Sequence, residues 1–140
     1  MSVKNTLVDS GPLVALFDRD DRDHRRVRNF LESRRLRLVT TWPVLTEVCA
    51  LLPRRSGLDF LEFVARGGVG VESLAEADIP GLLTLSRKYA DRPMDFADAS
   101  LVMLAMKTGL DAILSLDADF SVYRLPGKKP FKNLLALSRK

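Results

Sequence analysis

Several residue types are scarce in this 140-residue sequence, and each scarcity excludes a class of protein or site. The single cysteine, Cys49, excludes a disulfide framework and any cysteine-rich zinc site. The single histidine, His24, has no second imidazole to pair with, and none of the motifs described below contains a histidine. No apolar run reaches the roughly 18 residues that a membrane span needs. Residues 1–4 lack the apolar core of a signal peptide, so we expect a cytoplasmic protein without membrane partners.

The positive charge is unevenly distributed along the chain. The net charge is +4, residues 19–37 hold eight arginines, and residues 124–140 hold six basic residues and no acid. Such basic segments attract polyanions, although a solvated helix face and a solubilising tail would have the same composition. The charge therefore permits a nucleic-acid partner without requiring one.

Short apolar segments alternate with amphipathic ones. The pattern predicts strands at residues 5–10, 36–40, 69–73 and 112–115, and an irregular fifth strand near 131–134. Helices are predicted from Pro12, over 24–33, between Thr41 and Pro53, and over 57–65, 75–90 and 95–108. With no repeat and no long linker, we predict one α/β domain over residues 1–140, a three-layer α/β/α arrangement with a parallel sheet of four to five strands.

The first predicted strand ends in an acid and a hydroxyl, Asp9 and Ser10. In open parallel sheets, ligands bind beyond the carboxyl ends of the strands. An aspartate in the middle of a buried strand would be an uncompensated charge, whereas one at its carboxyl end is placed for chemistry. Asp9 is therefore the first candidate functional residue.

Three further groups of acids occupy comparable places. Glu47 lies within the apolar run of the helix that follows the second strand. Asp95 and Asp98 share a face at a helix start, and Asp117 and Asp119 follow the fourth strand and point the same way in an extended chain. Each group also has a structural explanation: a glutamate reaching solvent, a helix cap, and turn residues bonded to their own backbone.

If these acids converge, a divalent cation would relieve their mutual repulsion, which otherwise raises their pKa values. Oxygen ligands without histidine or cysteine suit Mg²⁺ or Mn²⁺. Such an ion polarises a phosphate oxygen and lowers the pKa of an attacking water, which indicates phosphodiester hydrolysis. A phosphotransfer site with Asp9 as nucleophile is disfavoured, because Gly11 stands where a dehalogenase-like site needs a second aspartate.

In these motifs the sequence resembles the PIN-domain ribonucleases, specifically toxins of the VapC type. The motifs, in the family's order, are LVDSG at 7–11, VLTEV at 44–48, DFADASL at 95–101 and LSLDADF at 114–120. The resemblance implies a toxin endoribonuclease that depends on one or two Mg²⁺ or Mn²⁺ ions and cleaves RNA, often tRNA or rRNA. It also implies a homodimer and a small antitoxin partner that can place an arginine in the acidic site.

The resemblance further implies roles for individual residues. The acids that match the family's catalytic metal site are Asp9, Glu47, Asp98 and, as a less uniform fourth member, Asp117. Residues expected to support them are Ser10, Asp95, Ser115 and Asp119. Two alternatives stay open: Asp95 is either a ligand or a supporting acid, and Asp119 either supports the site or shares the role of the fourth acid with Asp117. Basic residues after the first helix would contact the RNA backbone, namely Arg19, Arg22, Arg25 and Arg26. The alternative is a non-catalytic nucleic-acid- or partner-binding domain of the same fold, against which the full set of acids argues.

Overall fold

The computed structural model describes residues 3–137 of the chain. Its strands are β1 (Lys4–Val8), β2 (Leu36–Thr41), β3 (Val69–Glu72), β4 (Ala112–Leu114), β5 (Arg124–Leu125), β6 (Lys129–Pro130) and β7 (Lys132–Asn133). Five of them form a parallel sheet in the order β3-β2-β1-β4-β7, while β5 and β6 form a small antiparallel hairpin. The predicted parallel sheet is confirmed, with its fifth strand short, as the prolines near it suggested.

In the described residues, seven helices flank the sheet in the predicted three-layer arrangement. They are α1 (Ser10–Phe17), α2 (His24–Glu32), α3 (Trp42–Leu51), α4 (Arg54–Ala65), α5 (Ile79–Lys88), α6 (Phe96–Thr108) and α7 (Leu134–Leu137). None of these helices has the length and apolar character that crossing a bilayer requires.

Several boundaries differ from the predicted ones. The first strand ends at Val8, two residues early, because Asp9 adopts an extended N-cap conformation and Ser10 already begins α1. The long helix predicted from residue 75 begins instead as a 3₁₀ turn over Glu76–Asp78, and α5 follows from Ile79. A proline in the first helical turn favours this later start, since it needs no backbone hydrogen bond there.

The core fixes the places where the candidate acids emerge. β1 lies between β2 and β4, with Val8 paired to Leu114, and Asp9 N–H donates to the Leu114 carbonyl over 3.0 Å. Helix α6 is buried from its first turn, and Leu101 and Val102 are fully shielded against the sheet and its neighbours. Each such side chain stabilises the fold by roughly 2 kcal/mol. The ends of β1 and β4 and the start of α6 are therefore held in fixed relative positions.

Candidate active site

Three of the predicted acids converge at the carboxyl edge of the sheet. Carboxylate oxygens of Asp9, Asp98 and Asp117 all lie within 4.8 Å of one another. They come from three elements: the residue after β1, the first turn of α6 and the loop after β4. Asp9 and Asp98 are only 4% and 6% exposed, whereas Asp117 is exposed. The cluster therefore meets solvent on the side of Asp117.

Asp9 is held by neutral donors on both of its oxygens. The Ser10 backbone N–H donates to Oδ1 over 2.8 Å, and the Ser115 hydroxyl donates to Oδ2 over 3.1 Å. The same Ser115 oxygen accepts the Asp117 backbone N–H over 2.9 Å. Ser115 thus bridges two acids of the cluster, while the contact that the structure gives Ser10 is through its backbone.

Ser115 is in turn fixed by the last strand. The Asn133 side chain accepts the Ser115 N–H over 3.2 Å and donates to the Ser115 carbonyl over 2.9 Å. This pair of hydrogen bonds continues the parallel pairing of β4 with β7 by means of a side chain. The C-terminal strand therefore helps to orient the hydroxyl that bridges Asp9 and Asp117.

Asp98 has a buried phenol as its donor. The hydroxyl of Tyr123, whose side chain is completely shielded from solvent, donates to Asp98 Oδ2 over 3.1 Å. Asp95 is the N-cap of α6, and its Oδ1 accepts the Asp98 backbone N–H over 2.8 Å. The capping role considered for Asp95 is thus present, and the same contact fixes the backbone that carries Asp98.

Burial and mutual repulsion make these acids weak. Burial is the main cause that raises the pKa of Asp9 to about 6, with smaller contributions from the charges of Asp117 and Glu47. Burial, followed by the charges of Asp9 and Asp95, raises the pKa of Asp98 to about 7. Near neutral pH, ionisation of Asp9 and Asp98 therefore lowers the free energy of unfolding.

The donor set fits a divalent cation. No lysine or arginine within residues 3–137 forms an ion pair with Asp9, Asp98 or Asp117. Buried carboxylates normally have a charged partner, and three convergent oxygens without one form the kind of site that Mg²⁺ or Mn²⁺ occupies.

The remaining predicted acids lie around this cluster. Glu47 is half-buried and near enough for its charge to raise the pKa of Asp9, but its carboxylate is outside the three-acid group. Asp119 turns away, since its Oδ1 accepts from Arg92 over 3.1 Å. Its backbone N–H donates to Asp117 Oδ1 over 2.9 Å, which orients Asp117. The structure thus favours Asp117 over Asp119 as the acid of this loop.

The predicted arginines make other contacts. Arg22 and Arg26 lie 3.5 and 3.9 Å from Asp23, and Arg26 also donates to the Leu135 carbonyl over 2.8 Å. Arg19 lines a cavity of about 510 Å³ between α1, α2 and α4, and Arg25 is exposed on α2. No described contact joins these four residues to the acids, and an RNA-binding role for them stays a prediction.

Tyr123 and Asn133 are the two residues that the sequence analysis did not single out. Tyr123 is 25 positions from Asp98, and Asn133 is 18 positions from Ser115. Helical and strand periodicity relate only residues that are close in the chain. No local signal could have identified either residue.

Comparisons with known proteins agree with this geometry. Residues 6–125 match the model of the PIN domain family. The chain is 30% identical over 115 residues to Ribonuclease VapC26 of Mycobacterium tuberculosis, which covers 79% of this chain and 85% of the relative. The fold matches the crystal structure of VapC20 from the same organism, a toxin that cleaves the sarcin-ricin loop, with a TM-score of 0.76 and 22% identity. That match covers 84% of this chain and 93% of the other, and at this identity it shows the shared fold.

Proposed function

The chain belongs to the PIN-domain family of VapC-type ribonucleases, and from this premise we propose that it is a metal-dependent endoribonuclease that acts as a toxin. The observation that carries the proposal is the convergence of Asp9, Asp98 and Asp117 at the carboxyl edge of the sheet. The four catalytic, metal-binding residues that we propose are these three acids and Glu47. The whole of residues 1–140 is proposed to be one PIN domain, since β7, beyond the matched range, completes the sheet.

Each group has a distinct task in this proposal. A bound Mg²⁺ or Mn²⁺ would supply Lewis-acid chemistry, polarising a phosphate oxygen and making a water more acidic. Asp9, Asp98 and Asp117 would hold the cation, with Glu47 beside them. Ser115 fixes the orientation of Asp9 through its hydroxyl. The scissile phosphate would approach from the exposed Asp117 side, because Asp9 and Asp98 are buried.

The partners are part of the same proposal. The substrate is RNA, with tRNA and rRNA as the classes to test, and a small antitoxin protein is the proposed inhibitor in the cytoplasm. A homodimer is proposed from the stretch Leu51–Phe63, in which Leu51, Leu58 and Leu61 are exposed. A molecular mass in solution that stays monomeric at all concentrations would reject the dimer.

The deciding experiment is cleavage of a labelled RNA mixture with Mg²⁺, with Mn²⁺ and with EDTA. We expect metal-dependent cleavage by the wild type, none by Asp98→Ala, and wild-type cleavage by the control Glu76→Ala, which removes an exposed acid on the 3₁₀ turn before α5. If the wild type binds neither metal nor RNA, the enzyme proposal is wrong. If it binds RNA but cleaves nothing and binds no metal, the non-catalytic alternative is correct.

A further inference from the structure

A groove opens beside the acid cluster, on its exposed side. It has a volume of about 690 Å³ and is bounded by the turn after β4, by β6 and β7, and by the start of α7. Phe120 and Phe131 lie beneath it and are 1% and 8% exposed, and its charged residues are Asp111, Asp117, Lys129 and Lys132. The groove is therefore partly apolar and partly charged.

The groove is continuous with the candidate metal site, because Asp117 belongs to both. The other two acids of the cluster are buried, so a polymer with its scissile phosphate at the cluster must leave along the surface near Asp117. Neither the cavity that Arg19 lines nor the apolar cavity of about 290 Å³ between Trp42, Ile79 and Phe96 includes an acid of the cluster. The latter is bordered by Glu72 and Glu76, which repel phosphates.

The two lysines of the lining balance its two acids, Asp111 and Asp117, and a cation held by Asp117 at the acid cluster would leave the groove positive, which suits a polyanion. Lys132 is exposed and lowers the pKa of Asp111 at a distance, but it forms no ion pair within residues 3–137. Lys129 is 56% exposed and is held at the groove by Asp111, 3.0 Å from its Nζ. An exposed pair of this kind contributes little net energy and exchanges readily for a phosphate. The neighbouring Lys128 adds charge from an exposed turn, with a φ of 60° that a lysine rarely adopts.

We propose that this groove binds the single-stranded RNA next to the scissile phosphodiester, with Lys129 and Lys132 contacting its phosphates. The inference rests on the proposed function and extends it by naming the surface that holds the substrate. Phe120 and Phe131 are only 1% and 8% exposed, so the contacts to RNA would come from the two exposed lysines, which face its phosphates. This surface differs from the RNA contacts predicted from the sequence, because none of the four predicted arginines lines the groove.

The test measures binding separately from cleavage. A fluorescent 20-nucleotide RNA of mixed sequence is titrated in EDTA, where a metal-dependent enzyme does not cut, at several salt concentrations. Each phosphate contact on a single strand contributes about 0.7 to the slope of log affinity against log salt. We expect Lys132→Gln to reduce that slope by about 0.7, and the double variant Lys129→Gln/Lys132→Gln by about 1.4. Relative to their affinities at 1 M salt, the double variant should bind roughly 25-fold more weakly than the wild type at about 0.1 M salt.

Two matched variants sharpen the result. Lys4→Gln removes the same charge at the first residue of the central strand β1, which does not line the groove, and should leave the slope unchanged. Asp111→Asn removes a negative charge from the groove and releases Lys129, so RNA should bind more tightly. If the double variant keeps the wild-type slope, or if Lys4→Gln lowers it equally, the groove does not bind RNA in the proposed way.

Failure of the groove and failure of the function give different results. A wild type that cleaves RNA with Mg²⁺ or Mn²⁺, together with an unchanged slope in the double variant, overturns the groove and leaves the nuclease in place. A wild type that neither cleaves nor binds RNA overturns both. In a third outcome, the double variant keeps the wild-type salt dependence of RNA binding but loses binding of a labelled glutamate-rich peptide. The groove is then a docking surface for an acidic protein segment, and the proposal is wrong.

Discussion

Two kinds of aspartate occur in this molecule, in opposite surroundings. Asp9 and Asp98 are buried at the sheet edge, lie near other acids, and accept hydrogen bonds from neutral groups such as Ser115 and Tyr123. Burial raises their pKa values to about 6 and about 7. The fold would be more stable if these side chains were neutral.

Asp78 and Asp111 form the second kind. Each is partly exposed and accepts from a lysine, with Asp78 Oδ2 2.7 Å from Lys107 Nζ and Asp111 Oδ2 3.0 Å from Lys129 Nζ. The hydrogen bond from the lysine is the main cause that lowers the pKa of each acid. These two acids therefore favour the folded state in their charged form.

The difference has opposite consequences for stability against pH. A pKa raised above its unfolded value of 3.8 gives stability that is present below pH 3.8 and is lost by about pH 6 for Asp9 and about pH 7 for Asp98. A lowered pKa gives stability that is present above the unfolded value and is lost as the pH falls through the folded one. Acids that cost stability at neutral pH and have no lysine or arginine partner within residues 3–137 form a site that could hold a cation.

The largest expected effect is that of Asp98→Asn. Cleavage should fall more than about 100-fold, because the loss of a ligand exceeds the 10–100-fold typical of residues that only support ligands. In EDTA at pH 8, the free energy of unfolding should rise by about 1–3 kcal/mol, because the amide keeps the shape and carries no charge. Urea denaturation and gel-based cleavage measure both quantities.

The gain in stability should depend on pH. It should be near zero at pH 4, where Asp98 is protonated in the folded wild type, and should grow up to about pH 7. A variant that is inactive and also less stable than the wild type at pH 8 would contradict the comparison, since Asp98 would then support the fold.

The positions of the three clustered acids could be inferred from the sequence for a general reason. A strand end and a helix start are local features, and a parallel sheet brings its carboxyl ends to one edge. Asp9, Asp98 and Asp117 all lie at such places, so their convergence follows from topology. Glu47 lies further along a helix, where its distance from the cluster depends on how α3 packs, and it falls outside the three-acid group.

The contacts made by the C-terminal segment could not be inferred. Residues 124–133 form a hairpin and a two-residue strand interrupted by Pro126 and Pro130, too short for any periodic signal. Tyr123 precedes this segment and Asn133 ends it, and both contact residues of the site, while Lys132 lines the groove beside it. Their roles depend on long-range packing that only the structure shows, which is why the sequence predicted basic charge here without a location for it.

A smaller effect is expected from Tyr123→Phe. The phenol donates to Asp98, and this hydrogen bond holds the pKa of Asp98 lower than burial alone would set it. Without it, Asp98 should be harder to ionise and less well oriented, and Mn²⁺ should bind about tenfold more weakly by calorimetry at pH 7. Circular dichroism checks that the wild type and the Tyr123→Phe variant are both folded under the conditions of the titration.

Tyr89→Phe is the matched control. The Tyr89 ring packs 5.0 Å from that of Tyr123, but its hydroxyl accepts the Arg124 backbone N–H and, in the part of the chain that the structure describes, makes no hydrogen bond to an acid of the cluster. Mn²⁺ affinity should stay within about twofold of the wild type. Equal losses in the two variants would mean that aromatic packing, and not the hydrogen bond to Asp98, sets metal affinity.

The smallest expected effect is that of Asp111→Asn on stability, and it completes the comparison because it makes the same chemical change as Asp98→Asn. The surface pair with Lys129 should contribute at most about 1 kcal/mol, so unfolding at pH 7 and low salt should become slightly easier. The loss should shrink in about 1 M salt, where exposed charges are screened, whereas the gain from Asp98→Asn arises mainly from burial and should persist. Urea denaturation of both variants at two salt concentrations measures these differences. If the two substitutions changed the free energy of unfolding in the same direction, the two kinds of aspartate would not differ as their surroundings indicate.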